Sequence, residues 1–356
     1  ASGHTIVVEK STLPVKTAEV IKKILEDAEL NSQKKLKTTF DVLSNPEFLS
    51  EGSAIEDLEN PERVLIGGEN IEAMNALSEI YLNWVPKEKI LHTNIWSSEL
   101  AKLTANAFLA QRISSINSIS AICEATGADV REVARAIGSD SRIGPKFLDS
   151  GPGFGGSCFK KDILNLVYLC EHFGLPEVAK FWGEVIELNK WHQHRISKLI
   201  VKKLFGTVTG KKISILGFAF KANTNDTRES AAITICKDLL EEGAVLSIYD
   251  PKVDKSQIEK DLGMKSLPTS ENPLIEKSFD YKGVWNYAKN IDESLNGSDA
   301  SIILTEWKEY ENIDWYKAKK IMRSPSWIFD ARSILIAEKV KNAGLNLWRI
   351  GDGSQL

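Results

Sequence analysis

The 356-residue sequence has little cysteine, no long apolar run and no excess of charge of one sign. Its four cysteines, Cys123, Cys158, Cys170 and Cys236, lie far apart without C-x-x-C spacing. This pattern argues against a disulfide framework and a zinc site, and it favours a reducing compartment, the cytoplasm. No apolar run reaches the length of a membrane span, and no charged-then-apolar leader opens the chain. The 45 basic and 49 acidic residues form no basic block, so neither nucleic acid nor a membrane is an expected partner.

Glycine is concentrated beside one cysteine. Four glycines fall within Gly151 to Gly156, and an apolar run of helical length follows Asp162, so Cys158 is predicted to lie near a helix N-terminus. The helix dipole and the adjacent Lys160 and Lys161 favour the nucleophilic thiolate at this position. Asp162 follows four residues later, where a carboxylate could orient water or move protons. The alternative is a glycine loop that ends in an inert, structural cysteine.

The order of apolar segments predicts an α/β protein with a helical middle. Strands are predicted at 5–9, 40–43 and 63–68, with helices between and after them, and this alternation favours a parallel sheet. Long helical patterns cover 96–126 and 176–205, and the second of these helices would link two domains or pack on another subunit. A second α/β unit has predicted strands at 212–217, 245–250, 300–304, 327–330 and 346–350. The segment 267–290 is predicted to be a long surface loop.

The turn after the strand at 212–217 imitates a dinucleotide fingerprint. Gly217 is followed by Ala219 and Ala222 where such a motif has glycines, and bulky Phe218 and Phe220 intervene. We therefore do not expect NAD to bind at this turn.

Several charged residues stand where ligands commonly bind. Lys221, Arg228 and Arg332 lie at or near predicted strand ends, where phosphate oxygens are often held, although a solvated surface charge is the usual alternative for each. Glu47 and Glu51 follow a strand and are candidates for a base or a ligand contact. Lys102 lies in a largely apolar helix, which makes it a candidate buried cation, and Asn106 follows one turn later. No metal-ligand spacing is found.

Several separated motifs together resemble one family. They are Glu9-Lys10-Ser11-Thr12, Asn45-Pro46-Glu47-Phe48-Leu49, Lys102 with Asn106, Gly153 to Asp162, and Gly217 to Lys221. In this order, over nearly the whole chain, they resemble the UDP-glucose 6-dehydrogenases of animal type, within the UDP-glucose/GDP-mannose dehydrogenase family. The resemblance implies oxidation of UDP-glucose to UDP-glucuronate, with two NAD reduced in succession.

The resemblance also implies a fold. It predicts a partial N-terminal Rossmann-like parallel sheet at 1–94, which is the remainder of an NAD-binding domain. A central helical dimerisation domain with a long linking helix and the cysteine loop would follow at 95–206. A C-terminal Rossmann-like domain that binds the UDP-sugar would occupy 207–356. Self-association as a dimer, or as a hexamer built of dimers, is implied as well.

The resemblance assigns roles to individual residues. Cys158 would attack the intermediate aldehyde and form a thiohemiacetal and then a thioester, with Lys102 facing the oxyanion and Asp162 assisting proton transfer. Glu47 would act as acid and base, while Thr12 and Asn106 would hold water and substrate. The implied NAD contacts are Ser11, Thr12, Leu13, Glu51, Cys158 and Arg228. The implied substrate contacts are Glu47, Phe48, Leu49, Glu51, Lys102, Asn106, Arg142 (reaching a neighbouring subunit), Phe147, Phe154, Gly155, Phe159, Phe220, Lys221 and Arg332.

The sequence departs from the family pattern in two places. Asp149 stands where the animal pattern has a lysine beside the nucleotide. In addition, the chain opens without Met and without the G-x-G-x-x-G of the family's first Rossmann domain. We therefore expect a chain that lacks the N-terminal part of this domain and binds NAD poorly. The alternatives are a dehydrogenase for UDP-N-acetylmannosamine or GDP-mannose, and a catalytically silent fragment that binds nucleotide sugars.

Overall fold

The N-terminal part of the chain forms a four-stranded sheet. The computed structural model describes residues 3–11, 16–31, 38–267 and 282–355. The strands of this sheet, in the order β1-β2-β3-β4, are β1 (Gly3–Glu9), β2 (Thr38–Ser44), β3 (Val64–Gly67) and β4 (Ile90–Thr93). The helices are α1 (Thr17–Leu30), α2 (Ala54–Glu59) and α3 (Ile71–Tyr81).

The direction of the strands corrects the sequence prediction in part. β1 pairs with β2 in parallel, from Gly3↔Thr38 to Glu9↔Ser44, and β3 pairs with β4 in parallel. β2 and β3, however, are antiparallel and meet at Ser44↔Gly67. The sheet is therefore mixed, and β4 was not predicted.

Four helices follow the first sheet. They are α4 (Ile95–Thr126), α5 (Val130–Gly138), α6 (Phe159–His172) and α7 (Pro176–Lys203). Pro176 begins α7, because the missing N–H of proline costs nothing in the first turn. Gly127 follows α4 at φ +79°, the left-handed conformation that commonly ends a helix. The predicted long helices at 96–126 and 176–205 are confirmed.

The C-terminal part is a doubly wound sheet. Its strands are β5 (Lys212–Leu216), β6 (Val245–Tyr249), β7 (Val284–Tyr287), β8 (Ala300–Ile303), β9 (Trp327–Asp330) and β10 (Asn346–Arg349), with helices α8 (Ala231–Glu241), α9 (Lys255–Leu262), α10 (Ile291–Leu295), α11 (Trp315–Ile321) and α12 (Ala337–Asn342). All strand pairs are parallel in the order β10-β9-β8-β5-β6-β7. This is the strand order of a Rossmann fold. β7 lies within 267–290, so the prediction of one uninterrupted loop there is wrong; residues 268–281 lie outside the described ranges.

The chain divides into two compact units. One comprises Ala1–Phe108 with Asp162–Trp182, and the other comprises Leu109–Lys161 with Gly183–Leu356. In the first unit, Leu43 and Ile66 pack with Met74 of α3. In the second unit, the core around Ile213 and Phe329 includes Ile200 from the C-terminal half of α7. The predicted three-domain boundaries stay a prediction.

Among the described residues, none of the helices combines the length and apolarity needed to cross a bilayer. Over the same ranges, no group of three or more His, Cys, Asp or Glu side chains could hold a metal ion.

Candidate active site

Cys158 is exposed and directly precedes α6. The predicted position at the start of a helix is therefore confirmed. The other three cysteines are buried and unpaired. Exposure distinguishes Cys158 from them as the thiol that a substrate can reach.

The glycine loop before Cys158 packs closely against the segment between β5 and α8 of the second unit. A Cβ on Gly155 would lie 2.5 Å from the carbonyl oxygen of Glu229 and 3.0 Å from Cβ of Phe220. The N–H of Gly156 donates to the carbonyl oxygen of Arg228 at 2.8 Å. A side chain at Gly155 would collide with backbone, so this approach requires glycine. Nζ of Lys160 forms an ion pair with Oε2 of Glu229 at 2.8 Å.

Arg332 lies beside the same loop. Its Nε donates to the carbonyl oxygen of Leu304 at 2.8 Å and its Nη2 to that of Phe220 at 2.9 Å. Its Nη1 is 3.2 Å from the position that a Cβ on Gly151 would take. Glu306 forms an ion pair with its guanidinium at 3.1 Å. Arg332 is thus fixed in orientation, with a nitrogen turned to the glycine loop.

Other predicted substrate contacts, and the predicted NAD contact Arg228, also lie in the second unit. The rings of Phe154 and Phe159 meet edge to face at 6.0 Å. Nζ of Lys221 lies 5.6 Å from the centroid of the Phe220 ring. Arg228 pairs with Asp226 at 2.6 Å.

Arg142 and Phe147 lie in the segment that precedes the glycine loop. Arg142 pairs with Asp140, and its side chain is 88% exposed. Phe147 is exposed and has φ +62°. Arg112 holds this segment by donating to the carbonyl oxygens of Gly144 and Lys146 at 2.9 and 2.7 Å. Whether Arg142 reaches a neighbouring subunit stays a prediction.

In the first unit, four predicted residues lie together. Lys102 and Asn106 are one turn apart on α4, and only 8% and 6% of their surfaces are exposed. Nδ2 of Asn106 donates to Oδ2 of Asp162, in the first turn of α6, at 2.5 Å. Nζ of Lys102 lies 5.1 Å from the centroid of the Phe48 ring. The amide of Asn106 and the carboxylate of Asp162 are thus joined by a hydrogen bond, and the buried Lys102 lies one helical turn before Asn106 on α4.

The remaining predicted residues of the first unit lie after β1 and β2. Glu47 and Glu51 are exposed and Leu49 is half-buried. Ser11 is exposed just beyond β1, whereas Thr12 and Leu13 lie outside the described residues.

The sequence prediction missed the residues that hold these two segments together. The hydroxyl of Tyr81 donates to Oδ1 of Asn45 at 2.7 Å, and Nζ of Lys10 donates to the Tyr81 oxygen at 3.0 Å. Nδ2 of Asn45 donates to the carbonyl oxygen of Leu65 at 2.8 Å. Lys10 and Asn45 stand in two motifs of the family resemblance, but no local pattern links them to Tyr81.

Two acidic residues, Glu9 and Glu99, were given no role by the sequence analysis, although Glu9 begins one of its motifs. The carboxylate of Glu99 accepts the N–H groups of Lys16 and Ala18 at 2.7 and 3.0 Å, and so satisfies the start of α1. Glu9, at the end of β1, is buried. Burial, and then the negative charge of Glu99, raise the pKa of Glu9 to about 7.

The fingerprint-like turn at Gly217 is closed by Asp250. Oδ2 of Asp250 accepts the N–H groups of Phe218 and Ala219 at 2.7 and 3.1 Å. A Cβ on Gly217 would lie 2.5 Å from Cβ of Thr305. The carboxylate uses the donors that a phosphate would need. The absence of NAD from this turn stays a prediction.

Three family models match successive parts of the chain. The UDP-glucose/GDP-mannose dehydrogenase family's NAD binding domain matches residues 1–85, its central domain residues 96–191 and its UDP binding domain residues 214–337. The chain belongs to this dehydrogenase family. The match to the NAD binding domain over residues 1–85 contradicts the expectation that the chain lacks the N-terminal part of this domain, and it removes the reason for expecting poor NAD binding.

Individual members of the dehydrogenase family are similar over almost the whole chain. A UDP-glucose 6-dehydrogenase of Drosophila melanogaster is 53% identical over 99% of the chain and 72% of its own length. UDP-glucose 6-dehydrogenase 4 of Arabidopsis thaliana is 51% identical over 97% of the chain and 72% of its own length. The structure of a UDP-glucose dehydrogenase from Pyrobaculum islandicum has a TM-score of 0.78 at 31% identity, covering 98% of the chain and 71% of that protein.

The described residues of the first unit fit the NAD that the dehydrogenase family implies. β1 and β2 end side by side at Glu9 and Ser44, so the segments after them leave the same edge of the sheet. Open α/β sheets bind ligands at this edge. Ser11 and Glu51 are exposed there, and a hydroxyl and a carboxylate suit the hydroxyl groups of a dinucleotide.

Proposed function

We propose that this chain oxidises UDP-glucose to UDP-glucuronate through a covalent intermediate on Cys158. The observation that carries the proposal is the exposed Cys158 at the end of a tightly packed glycine loop, in a member of this dehydrogenase family. The identity of 53% to the Drosophila UDP-glucose 6-dehydrogenase supports UDP-glucose as the substrate.

The chemistry divides into two oxidations and a hydrolysis. The C6 hydroxyl loses a proton and a hydride and becomes an aldehyde. The Cys158 thiolate adds to this aldehyde and gives the oxyanion of the thiohemiacetal, which loses a second hydride and becomes a thioester. Water then cleaves the thioester, which gives the carboxylate and returns the thiol. NAD, when bound, accepts the hydrides, and Ser11, Thr12, Leu13, Glu51, Cys158 and Arg228 are the proposed contacts.

The other groups act on charge and protons. Lys102 is buried, and a cation in a desolvated position stabilises a developing oxyanion more than it would in water. Asp162 is fixed by Asn106 and would move protons through water. Glu47 and Thr12 would serve as acid/base and water-holding residues, as the resemblance implies.

The substrate contacts proposed are those of the sequence prediction. In the second unit, Phe154 and Gly155 belong to the glycine loop, and Phe220 and Arg332 lie against it. Lys221 lies over the ring of Phe220. Self-association, and residence in the cytoplasm, whose reducing conditions suit four unpaired cysteines, also belong to the proposal.

Replacing Cys158 tests this proposal. We expect Cys158→Ser to release NADH only for the first oxidation and to form no UDP-glucuronate, whereas the unaltered chain forms two NADH per acid. Cys170→Ser, a buried cysteine of α6, is the control and keeps the ratio of two. Near-normal acid formation by Cys158→Ser would refute the covalent route. Faster turnover of UDP-N-acetylmannosamine or GDP-mannose would refute the substrate, and no NADH from the unaltered chain would refute the function.

A further inference from the structure

Buried side chains from α4 and α7 hold the start of the glycine loop, within the second unit. The N–H of Gly151 donates to Oδ1 of Asn117 at 2.9 Å. Nε2 of His192 lies 2.9 Å from the carbonyl oxygen of Gly151. Asn117 and His192 each expose 1% of their surface. Both backbone groups of Gly151 are thus fixed by side chains that water does not reach.

Asn189, three residues before His192 on α7, holds the loop at a second point. Its Oδ1 accepts the N–H of Phe154 at 2.9 Å, and its Nδ2 donates to the carbonyl oxygen of Phe154 at 3.1 Å. Gly153 has φ +129°, and a Cβ there would lie 2.7 Å from Oδ1 of Asn189. The amide therefore pairs with Phe154 as a neighbouring strand would, and only glycine leaves room for it.

His192 holds the loop as a neutral donor. Burial, and then the positive charge of Arg195, lower the pKa of His192 to about 3. Arg195 is itself paired with Glu124 at 2.7 Å. Since Nε2 faces a carbonyl oxygen, the proton of the neutral ring is assigned to Nε2. The imidazole is therefore neutral throughout the neutral pH range.

We propose that His192 and Asn189 are positioning residues, which fix Gly151 to Phe154 so that Cys158 is held in a reactive position. This inference rests on the proposed function. Loosening the loop would impair the step that needs the thiol more than the first hydride transfer, which does not need it.

Two variants of His192 separate a hydrogen bond from mere packing. His192→Gln keeps a neutral N–H donor at a similar reach, whereas His192→Leu keeps bulk and removes the donor. We expect His192→Leu to slow acid formation about 10- to 100-fold, since a displacement of about 1 Å at a reacting group has effects of this size. The first NADH burst should change by less than about 3-fold, and His192→Gln should restore acid formation to within the same factor. His194→Leu, on the exposed side of α7, is the matched control and should leave both rates unchanged.

Two further measurements complete the test. The rate of Cys158 alkylation by iodoacetamide needs no turnover, so it reports the position of the thiol even if UDP-glucose is not the substrate. The alkylation rate should differ from that of the unaltered chain in His192→Leu and should equal it in His192→Gln. When the rate of acid formation is measured against pH, His192→Gln should show the same rising and falling limbs as the unaltered chain.

Three results would overturn the inference. They are unchanged rates in His192→Leu, equal losses in both His192 variants, and a lost pH limb in His192→Gln, which would indicate acid or base action. If His192→Leu does not fold, as judged by circular dichroism, Asn189→Asp takes its place, because it retains the acceptor for the N–H of Phe154 and loses the donor to its carbonyl oxygen. Unchanged alkylation and acid formation in Asn189→Asp would equally overturn the inference.

Discussion

Glu9 should make the N-terminal sheet less stable as the pH rises through neutrality. Its pKa is raised from 4.5 to about 7, by burial first and by Glu99 second. The folded state therefore binds the proton more tightly than the unfolded state. The stabilisation is complete below about pH 4.5, decreases as the pH rises, and is lost above about 7. The full shift corresponds to about 3 kcal/mol, and partial access of water to the carboxyl reduces the expected effect to about 2 kcal/mol.

Hydrogen exchange measures this effect locally, which matters because a chain of two units need not unfold in one step. The free energy of opening is measured for the backbone amides of β1 and β2 at pH 5 and at pH 8, after correction for intrinsic exchange rates. It is measured in the unaltered chain and in Glu9→Gln. The unaltered chain should lose about 2 kcal/mol more than Glu9→Gln over this interval. Glu26→Gln, an exposed carboxyl on α1, should behave like the unaltered chain. Equal pH dependence of Glu9→Gln and the unaltered chain would refute the reasoning.

Two further substitutions test the site residues. Asn106→Ala removes the 2.5 Å hydrogen bond to Asp162. It should lower the free energy of unfolding in denaturant by about 1.5–3 kcal/mol, which is the usual contribution of a hydrogen bond to a charged group. Thr104→Ala on the same helix should lower it by less than about 1 kcal/mol. An equal loss in the two variants would contradict the importance of this bond. Asp149→Lys should tighten UDP binding in calorimetry, with Asp149→Asn between the two, because an exposed repulsive charge becomes attractive. Unchanged or weaker affinity would show that residue 149 is remote from the diphosphate.

Local sequence patterns predicted most of the secondary structure, but not the direction of every strand. The strand at 327–330 was predicted with the observed bounds, because an apolar run bounded by turn residues contains the information needed. The antiparallel pairing of β2 with β3 was missed, because alternation of strands and helices does not specify direction. Only the six-residue helix α2 lies between these strands, so the connection is not a regular βαβ crossover. β7 was missed because four residues at a sheet edge, Val284–Tyr287, give little periodic signal.

In the site, too, residues identified by local spacing were predicted, whereas contacts between residues far apart in the sequence were not. Cys158 and Asp162 were found from spacing within one helix start. The contact of Asn106 with Asp162 joins residues 56 positions apart, and the contact of His192 with Gly151 joins residues 41 apart. No periodicity encodes such pairs. The sequence analysis assigned no role to His192, whose partner in the structure is a backbone carbonyl oxygen.

The second Rossmann-like sheet shows how a dinucleotide turn can be closed by a single side chain. Asp250 follows β6, the strand next to β5, and its Oδ2 also accepts the indole N–H of Trp307 at 3.1 Å. Its Oδ1 accepts the N–H groups of Lys252 and Val253 at 2.8 and 3.0 Å. The carboxylate thus supplies the negative charge that a pyrophosphate would bring to this turn. A bound phosphate would have to displace a buried anion with five hydrogen bonds, so phosphate recognition by this unit has to come from elsewhere. Arg332, fixed beside the glycine loop, is the cation that we propose for this role.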